Sequence, residues 1–169
     1  TIVAFQVAQL KVNQRLFSNS GAASMGYDLP AAIGAAVARG GKRVICLAGD
    51  GSLQMNIQEL QTLAHHRWPI KLFVMNNNGY LSIRQTQSAF FGLGVGADPT
   101  SGVSFPDFVK VAAAYGLQAK RIDQPDFSRD LRNLLASCTP EVCEVMLDPA
   151  QGIEPKLSSR KLPNGQMVS

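Results

Sequence analysis

Asp50 stands between two glycines in Gly49-Asp50-Gly51-Ser52, and Asn76-Asn77-Asn78-Gly79 follows farther along the chain. Both stretches close a short apolar run, "RVICLA" before the first and "IKLFVM" before the second. A carboxylate, an amide oxygen and backbone carbonyls are donors that Mg²⁺ takes together with phosphate oxygens and water. Glycine lets a backbone approach a ligand closely. The start of a helix offers unpaired N–H groups to a phosphate, and Ser52 adds a hydroxyl donor. A carboxylate beside a diphosphate repels it, and a divalent cation between them removes the conflict. Brought together, the two turns could grip one metal–diphosphate. Each turn alone is weak evidence, since Asp-Gly and Asn-Gly are ordinary turn dipeptides; the pair is much more specific.

Such a grip requires both turns at the same end of neighbouring strands. Residues 43–49 and 70–76 are short, β-branched and apolar, and read as buried strands. Between them "NIQELQTLAHHR" spaces Ile57, Leu60, Leu63 and Ala64 as a helix does, with Asn56 as its N-cap. A strand–helix–strand unit implies parallel strands and a right-handed crossover. Ligands of open parallel sheets bind beyond the carboxyl ends of the strands, where both turns would then lie.

The rest of the chain continues the alternation. "DLPAAIGAAVAR" reads as a helix that Asp28 caps, with Pro30 in its first turn. "PDFVKVAAAYG" is a helix turning Phe108, Val111, Ala112 and Leu117 inward and stopping at Gly116. A strand "LQAKRID", a helix carrying Phe127, Leu131, Leu134 and Leu135, and a strand "EVCEVMLD" follow. The expected fold class is α/β, a three-layer αβα sandwich with a mainly parallel sheet. Residues 88–105 are Gly-rich and aperiodic and read as a long functional or mobile loop. Residues 1–150 form the expected domain and 151–169 a polar C-terminal tail. No internal repeat is visible.

Composition narrows the classes. The chain has 169 residues, 46% of them hydrophobic, enough for one domain with a core. No apolar run is long enough for a membrane span, and no signal peptide opens the chain. It begins at Thr1 and reads as a piece of a longer protein. The net charge of +4 is scattered apart from the tail "KLSSRK", which argues against a nucleic-acid partner. Cys46, Cys138 and Cys143 lack metal spacing and read as free thiols of a cytoplasmic protein. His65 and His66 fall on the crossover helix as surface or packing residues.

Gly49-Asp50-Gly51, followed after a helix and strand by Asn76-Asn77, resembles the signature of thiamine diphosphate-dependent enzymes. "GDGSLQMNIQEL" and "SNSGAASMGYDLPAAIGAA" are most similar to the acetolactate synthase-like branch of the 2-oxo acid decarboxylase group. The resemblance covers roughly positions 15 to 150 and implies the domain that binds the cofactor diphosphate, with the thiamine diphosphate-binding fold. It implies that Asp50, the Asn77 side chain and the Gly79 carbonyl hold Mg²⁺, and that Gly51 and Ser52 contact the diphosphate. Met25, Met55 and Tyr80 would complete the cofactor surface; by residue type alone both methionines would fill a core. No catalytic side chain is implied within this chain. The glutamate that serves the cofactor ring is expected on a pyrimidine-binding domain of a partner subunit, in a homodimer or homotetramer, so these residues alone should be inactive. The implied reaction decarboxylates a 2-oxo acid and transfers the carbanion to an acceptor, lyase and transferase chemistry; simple decarboxylation is the alternative.

One departure affects specificity. Acetolactate synthases usually carry Met and Trp at the positions of Ser82 and Thr86, where they line the acceptor pocket. Tyr80 and Arg84 could contribute there instead, Arg84 by binding a substrate carboxylate or phosphate, although a solvent-facing Arg84 is as reasonable. A Rossmann- or flavodoxin-like nucleotide-binding module is a rival of a different class, but no G-x-G-x-x-G follows a strand.

Overall fold

The computed structural model describes residues 2–152 and 160–168. Four apolar runs pair into one sheet: β1 (Val44–Gly49), β2 (Ile70–Asn76), β3 (Gln118–Ile122) and β4 (Glu141–Met146). Their order is β1-β2-β4-β3, and every neighbouring pair is parallel. Parallel neighbours need crossovers, and helices supply them. α1 (Ile2–Val7) and α2 (Asp28–Ala38) precede the sheet. α3 (Asp50–Gln54) and α4 (Glu59–His66) join β1 to β2. α5 (Leu81–Phe90), a 3-10 turn (Pro99–Ser101) and α6 (Phe108–Ala114) lead to β3, and α7 (Ser128–Ala136) leads to β4. A short antiparallel pair, β5 (Arg160–Lys161) and β6 (Met167–Val168), lies within the tail.

The two-residue repeat of the central strand builds two cores. Ile70, Leu72 and Val74 pack with Leu29 and Ala36 of α2, Leu60 and Leu63 of α4, and Phe108 and Ala112 of α6. Phe73 and Met75 point the other way, to Leu131, Leu134 and Leu135 of α7. The sheet is therefore covered on both faces, as the three-layer α/β expectation requires. The chain crosses from β1 to β2 and on to β3 in one direction, with α4 and α6 on one face. It returns to β4 with α7 on the other face, as a constant crossover hand demands.

The strands match the sequence reading to within a residue or two at each end. Gly116 ends α6 with φ +75°, while its N–H and that of Leu117 satisfy the carbonyls of Ala113 and Ala112. Other expectations need correction. Asn56 does not cap α4, which starts after Gln58; its amide donates to the Gly26 carbonyl and accepts from Gln58. Asp28 is the first residue of α2, not a preceding cap, and accepts the Leu29 N–H. Phe127 precedes α7 and is exposed, so it does not join the core.

The long loop is shorter than residues 88–105. Residues 88–90 complete α5, Gln87 holds both backbone groups of Val95, and Asp98 and Ser101 form a capping box. α1 and the β5–β6 pair had no signal in the periodicity, and part of the expected tail, residues 153–159 and 169, lies outside the described residues.

Lys71 is fully buried on the α7 side of β2, and its ammonium donates to Glu141 at 2.9 Å and to the Thr139 carbonyl at 2.7 Å. Removing one member of a buried pair leaves an uncompensated charge, whereas an apolar replacement of similar length is tolerated. Glu141→Ala is expected to cost about 3 kcal/mol and Lys71→Met much less, as read by urea denaturation. Equal losses from the two substitutions would show that the pair is not what holds this end of β2.

Candidate functional site

β1 ends at Gly49 in an extended conformation, and the next residue begins α3. The change of direction turns the Asp50 side chain inward, where it is only 3% exposed. Oδ1 accepts the Gly51 N–H at 2.8 Å, and Oδ2 accepts the Gly79 N–H at 3.0 Å. The parallel register sets Gly49 beside Met75, so the two strand-end turns are neighbours and Asp50 bridges them. Burial pushes the Asp50 carboxyl above its usual range; the backbone N–H groups of Gly51, Gly79, Asn77 and Asn78 oppose that rise.

The amide-rich turn is held from the opposite side. The Asn76 amide donates to Glu144 Oε1 at 2.7 Å, and its Oδ1 accepts the Asn78 N–H at 2.9 Å. Glu144 is buried, and its Oε2 accepts Arg121 Nε at 2.9 Å and lies 2.8 Å from Arg121 Nη2. Arg121 also reaches Asp107, which caps α6 through the Lys110 N–H. Asn76 is thus engaged on both ends of its amide, a structural role. The Tyr80 N–H donates to the Ala97 carbonyl at 2.8 Å. N–H and C=O of one trans peptide point in opposite directions, so this bond fixes the orientation of the Gly79 carbonyl. A Cβ at Gly79 would collide with Arg84 and with the Ala97 carbonyl oxygen, so only glycine fits there. The Tyr80 ring lies directly over Gly51, where a Cβ would strike it, and packs edge-on against Phe105 with centroids 5.5 Å apart.

A latch from the α2 side completes the surface. The Gly26 N–H donates to Ser52 Oγ at 2.9 Å, and the Gly26 carbonyl accepts the Asn56 amide at 2.6 Å. Ser52 Oγ donates to Asp28, so its hydroxyl is engaged within the protein and is not a free donor. Gly26 sits against Met55 and Asn56. Met25 and Met55 are exposed, 41% and 53%, so neither fills the core as its residue type alone suggested.

Other singled-out residues take different places. His65 and His66 end α4, and His66 stacks on Trp68 at 4.3 Å, a packing role. Ser82 and Thr86 are exposed one turn apart on α5. Arg84 neither faces solvent freely nor presents an unspent fork; its guanidinium donates to the carbonyls of Asn77, Asn78 and Pro149. An open cavity of about 350 Å³ lies beside it, between α5 and Pro149–Ala150.

Sequence reasoning missed the Glu144–Asn76 link, the Asn56 latch and the Ala97 carbonyl. Only Glu144 left a signal, as a charge inside the apolar strand "EVCEVM".

The donor chemistry fits a hard cation. Among the described residues no three His, Cys, Asp or Glu side chains cluster, so an ion here would draw on amide and carbonyl oxygens beside the Asp50 carboxylate. Gly51 and Gly79 are packed under Tyr80 and against Arg84 and Ala97, so the fold of the two turns itself requires glycine at both positions.

A parallel three-layer sandwich with this site at its strand ends defines a cofactor-binding α/β domain. The family model described as thiamine pyrophosphate enzyme, C-terminal TPP binding domain, matches residues 1–145, and the chain belongs to this family. It is 35% identical over 94% of its length to the acetolactate synthase large subunit of Cyanidium caldarium, covering 27% of that protein. It is 34% identical over 84% of its length to the acetolactate synthase isozyme 2 large subunit of Escherichia coli (strain K12), covering 26% of it. Among solved structures, the thiamine diphosphate-dependent 4-hydroxybenzoylformate decarboxylase of Rhodococcus jostii RHA1 superposes with a TM-score of 0.66. The identity there is 32%, over 73% of this chain and 23% of that one. The chain spans about a quarter of the length of the curated relatives it matches.

The raised Asp50 carboxyl has a consequence for stability. A group whose folded pKa lies above its unfolded value favours folding below the unfolded pKa, and that contribution is lost as pH rises through the folded pKa. Without metal, wild type should therefore lose stability relative to Asp50→Asn as pH rises from acid to neutral. Denaturation curves for the two proteins across that range test this; a constant difference between them would contradict the burial argument.

Proposed function

We propose that Asp50, the Asn77 side chain and the Gly79 carbonyl hold Mg²⁺, and that Gly51 and Ser52 receive the diphosphate of thiamine diphosphate, Ser52 through its main chain because its hydroxyl is spent on Asp28. Met25, Met55 and Tyr80 form the surrounding cofactor surface. The observation that carries this reading is the Gly79 N–H on Asp50 at 3.0 Å, which joins two turns at the carboxyl ends of adjacent parallel strands. When bound, the cofactor supplies the electron sink for cleaving a bond beside a carbonyl. The residues of this chain anchor and orient it. Asp50 offsets the charge of the cation, and the Ala97 carbonyl sets the direction of the Gly79 ligand.

In the whole protein, this domain serves a lyase or transferase that decarboxylates a 2-oxo acid and passes the remaining unit to an acceptor, as an acetolactate synthase does. A pyrimidine-binding domain of a partner subunit supplies the acid for the cofactor ring, within a homodimer or homotetramer. Residues 1–150 are the cofactor-binding unit and 151–169 a tail. A simple decarboxylase is the second reading. The small, exposed Ser82 and Thr86 favour it, because they provide no bulky wall to seat an acceptor.

Asp50→Ala is expected to abolish metal-dependent thiamine diphosphate binding, since it removes the one charged ligand, and Asn77→Ala to weaken it strongly. Calorimetric titration with the cofactor, with and without Mg²⁺, measures both. Wild-type affinity in Asp50→Ala would rule the site out. The 169 residues alone are expected to release no carbon dioxide from 2-oxo acids; turnover by this chain would overturn the division of labour between domains.

A further inference from the structure

The amide-rich turn has an inner and an outer side. On the inner side the Gly79 N–H meets Asp50, and the Asn78 N–H meets the Asn76 side chain. Each of these N–H groups shares a peptide plane with the carbonyl of the preceding residue, which points the opposite way. Those carbonyls belong to Asn78 and Asn77, and both face Arg84. Nη1 donates to the Asn78 oxygen at 3.3 Å, and Nη2 to the Asn77 oxygen at 3.5 Å. Nη2 also donates to the Pro149 carbonyl at 3.0 Å, which ties the turn to the segment leaving β4. The absence of a side chain at Gly79 is what lets Nη1 come so near the turn.

We propose that Arg84 is a positioning residue for the metal site. It grips the backs of the two peptide planes whose fronts face Asn76 and Asp50, and so presets the turn that carries Asn77 and Gly79. The proposal rests on the metal–diphosphate reading above. It also removes Arg84 from substrate recognition, because three of its donor contacts already end on backbone carbonyls. The planar fork is essential. A lysine carries the same charge on a flexible stem as a single point, and cannot hold three carbonyls in one plane. A simple electrostatic role would survive Arg84→Lys, whereas a clamp would not.

The test uses the intact protein with Arg84→Gln, Arg84→Lys and Asp50→Ala. Hydrogen–deuterium exchange is followed in the peptide spanning residues 76–81, without metal or cofactor. Mn²⁺ affinity is measured by electron paramagnetic resonance in the presence of thiamine diphosphate. Arg84→Gln is expected to speed exchange in that peptide about tenfold and to weaken Mn²⁺ binding roughly ten- to a hundredfold, the range for lost outer-shell partners. Arg84→Lys should fall close to Arg84→Gln in both readouts, with the β2 core still protected. Unchanged exchange in Arg84→Gln, or full recovery in Arg84→Lys, overturns the clamp. If Arg84→Gln does not fold, Arg84→Lys carries the test alone. Asp50→Ala separates the two ideas: Mn²⁺ binding retained there defeats the metal–diphosphate reading, while the exchange arm still judges the clamp.

Discussion

The structure turns on one buried carboxylate. Asp50 leaves β1 and is met by backbone N–H groups from its own turn and from the turn after β2. A carboxylate in that position is costly to bury unless every oxygen finds a donor. Gly51 supplies one from its own turn and Gly79 another from the amide turn. Burial raises the affinity of the carboxyl for a proton against the pull of those N–H groups, and a cation would offset the lost solvation. The site is therefore a buried carboxylate held in place by hydrogen bonds from the main chain of two turns.

Holding that shape requires support from outside the turn. Asn76 reaches across the sheet to Glu144 on β4, and Glu144 reaches Arg121 on β3. Arg121 reaches Asp107 at the start of α6. Each strand of the sheet except β1 contributes to this chain of contacts, and β1 contributes Asp50 itself. Buried networks of this kind rigidify a site when all members are satisfied. Among the described residues no buried side-chain nitrogen or oxygen lacks a partner.

A second set of contacts ties the segment before α2 to the turn after β1. The Gly26 loop is latched onto the helices after β1 through Ser52 and Asn56, and the Tyr80 ring rests on Gly51. Met25 and Met55 flank this latch and are exposed. Exposed methionines suit a surface that another molecule covers, since the thioether adapts to irregular partners. Phe90, Phe91, Leu93 and Val95 are exposed as well, at the end of α5 and just beyond it.

The sequence alone determined the alternation of strands and helices, because β-branched runs and 3.6-residue spacing are local properties. It also determined the two turns, since Gly49-Asp50-Gly51 and Asn76-Asn77 carry their chemistry in residue type and spacing. The helix limits around Asn56 and the place of Phe127 were misread for the same reason in reverse. Asn56 has a good capping side chain, but a partner distant in sequence, Gly26, took its hydrogen bond. Phe127 is apolar, but the chain reaches α7 from a direction that leaves it outside. Arg84 read as a ligand-binding or solvent-facing group, because nothing local shows that Pro149 will lie within 3.0 Å of it. Strand order, the engagement of Ser52 and the structural role of Asn76 were decided by tertiary structure. Each depends on which groups from other strands arrive to satisfy a buried donor or acceptor, and that is a property of the packed sheet and not of any one segment.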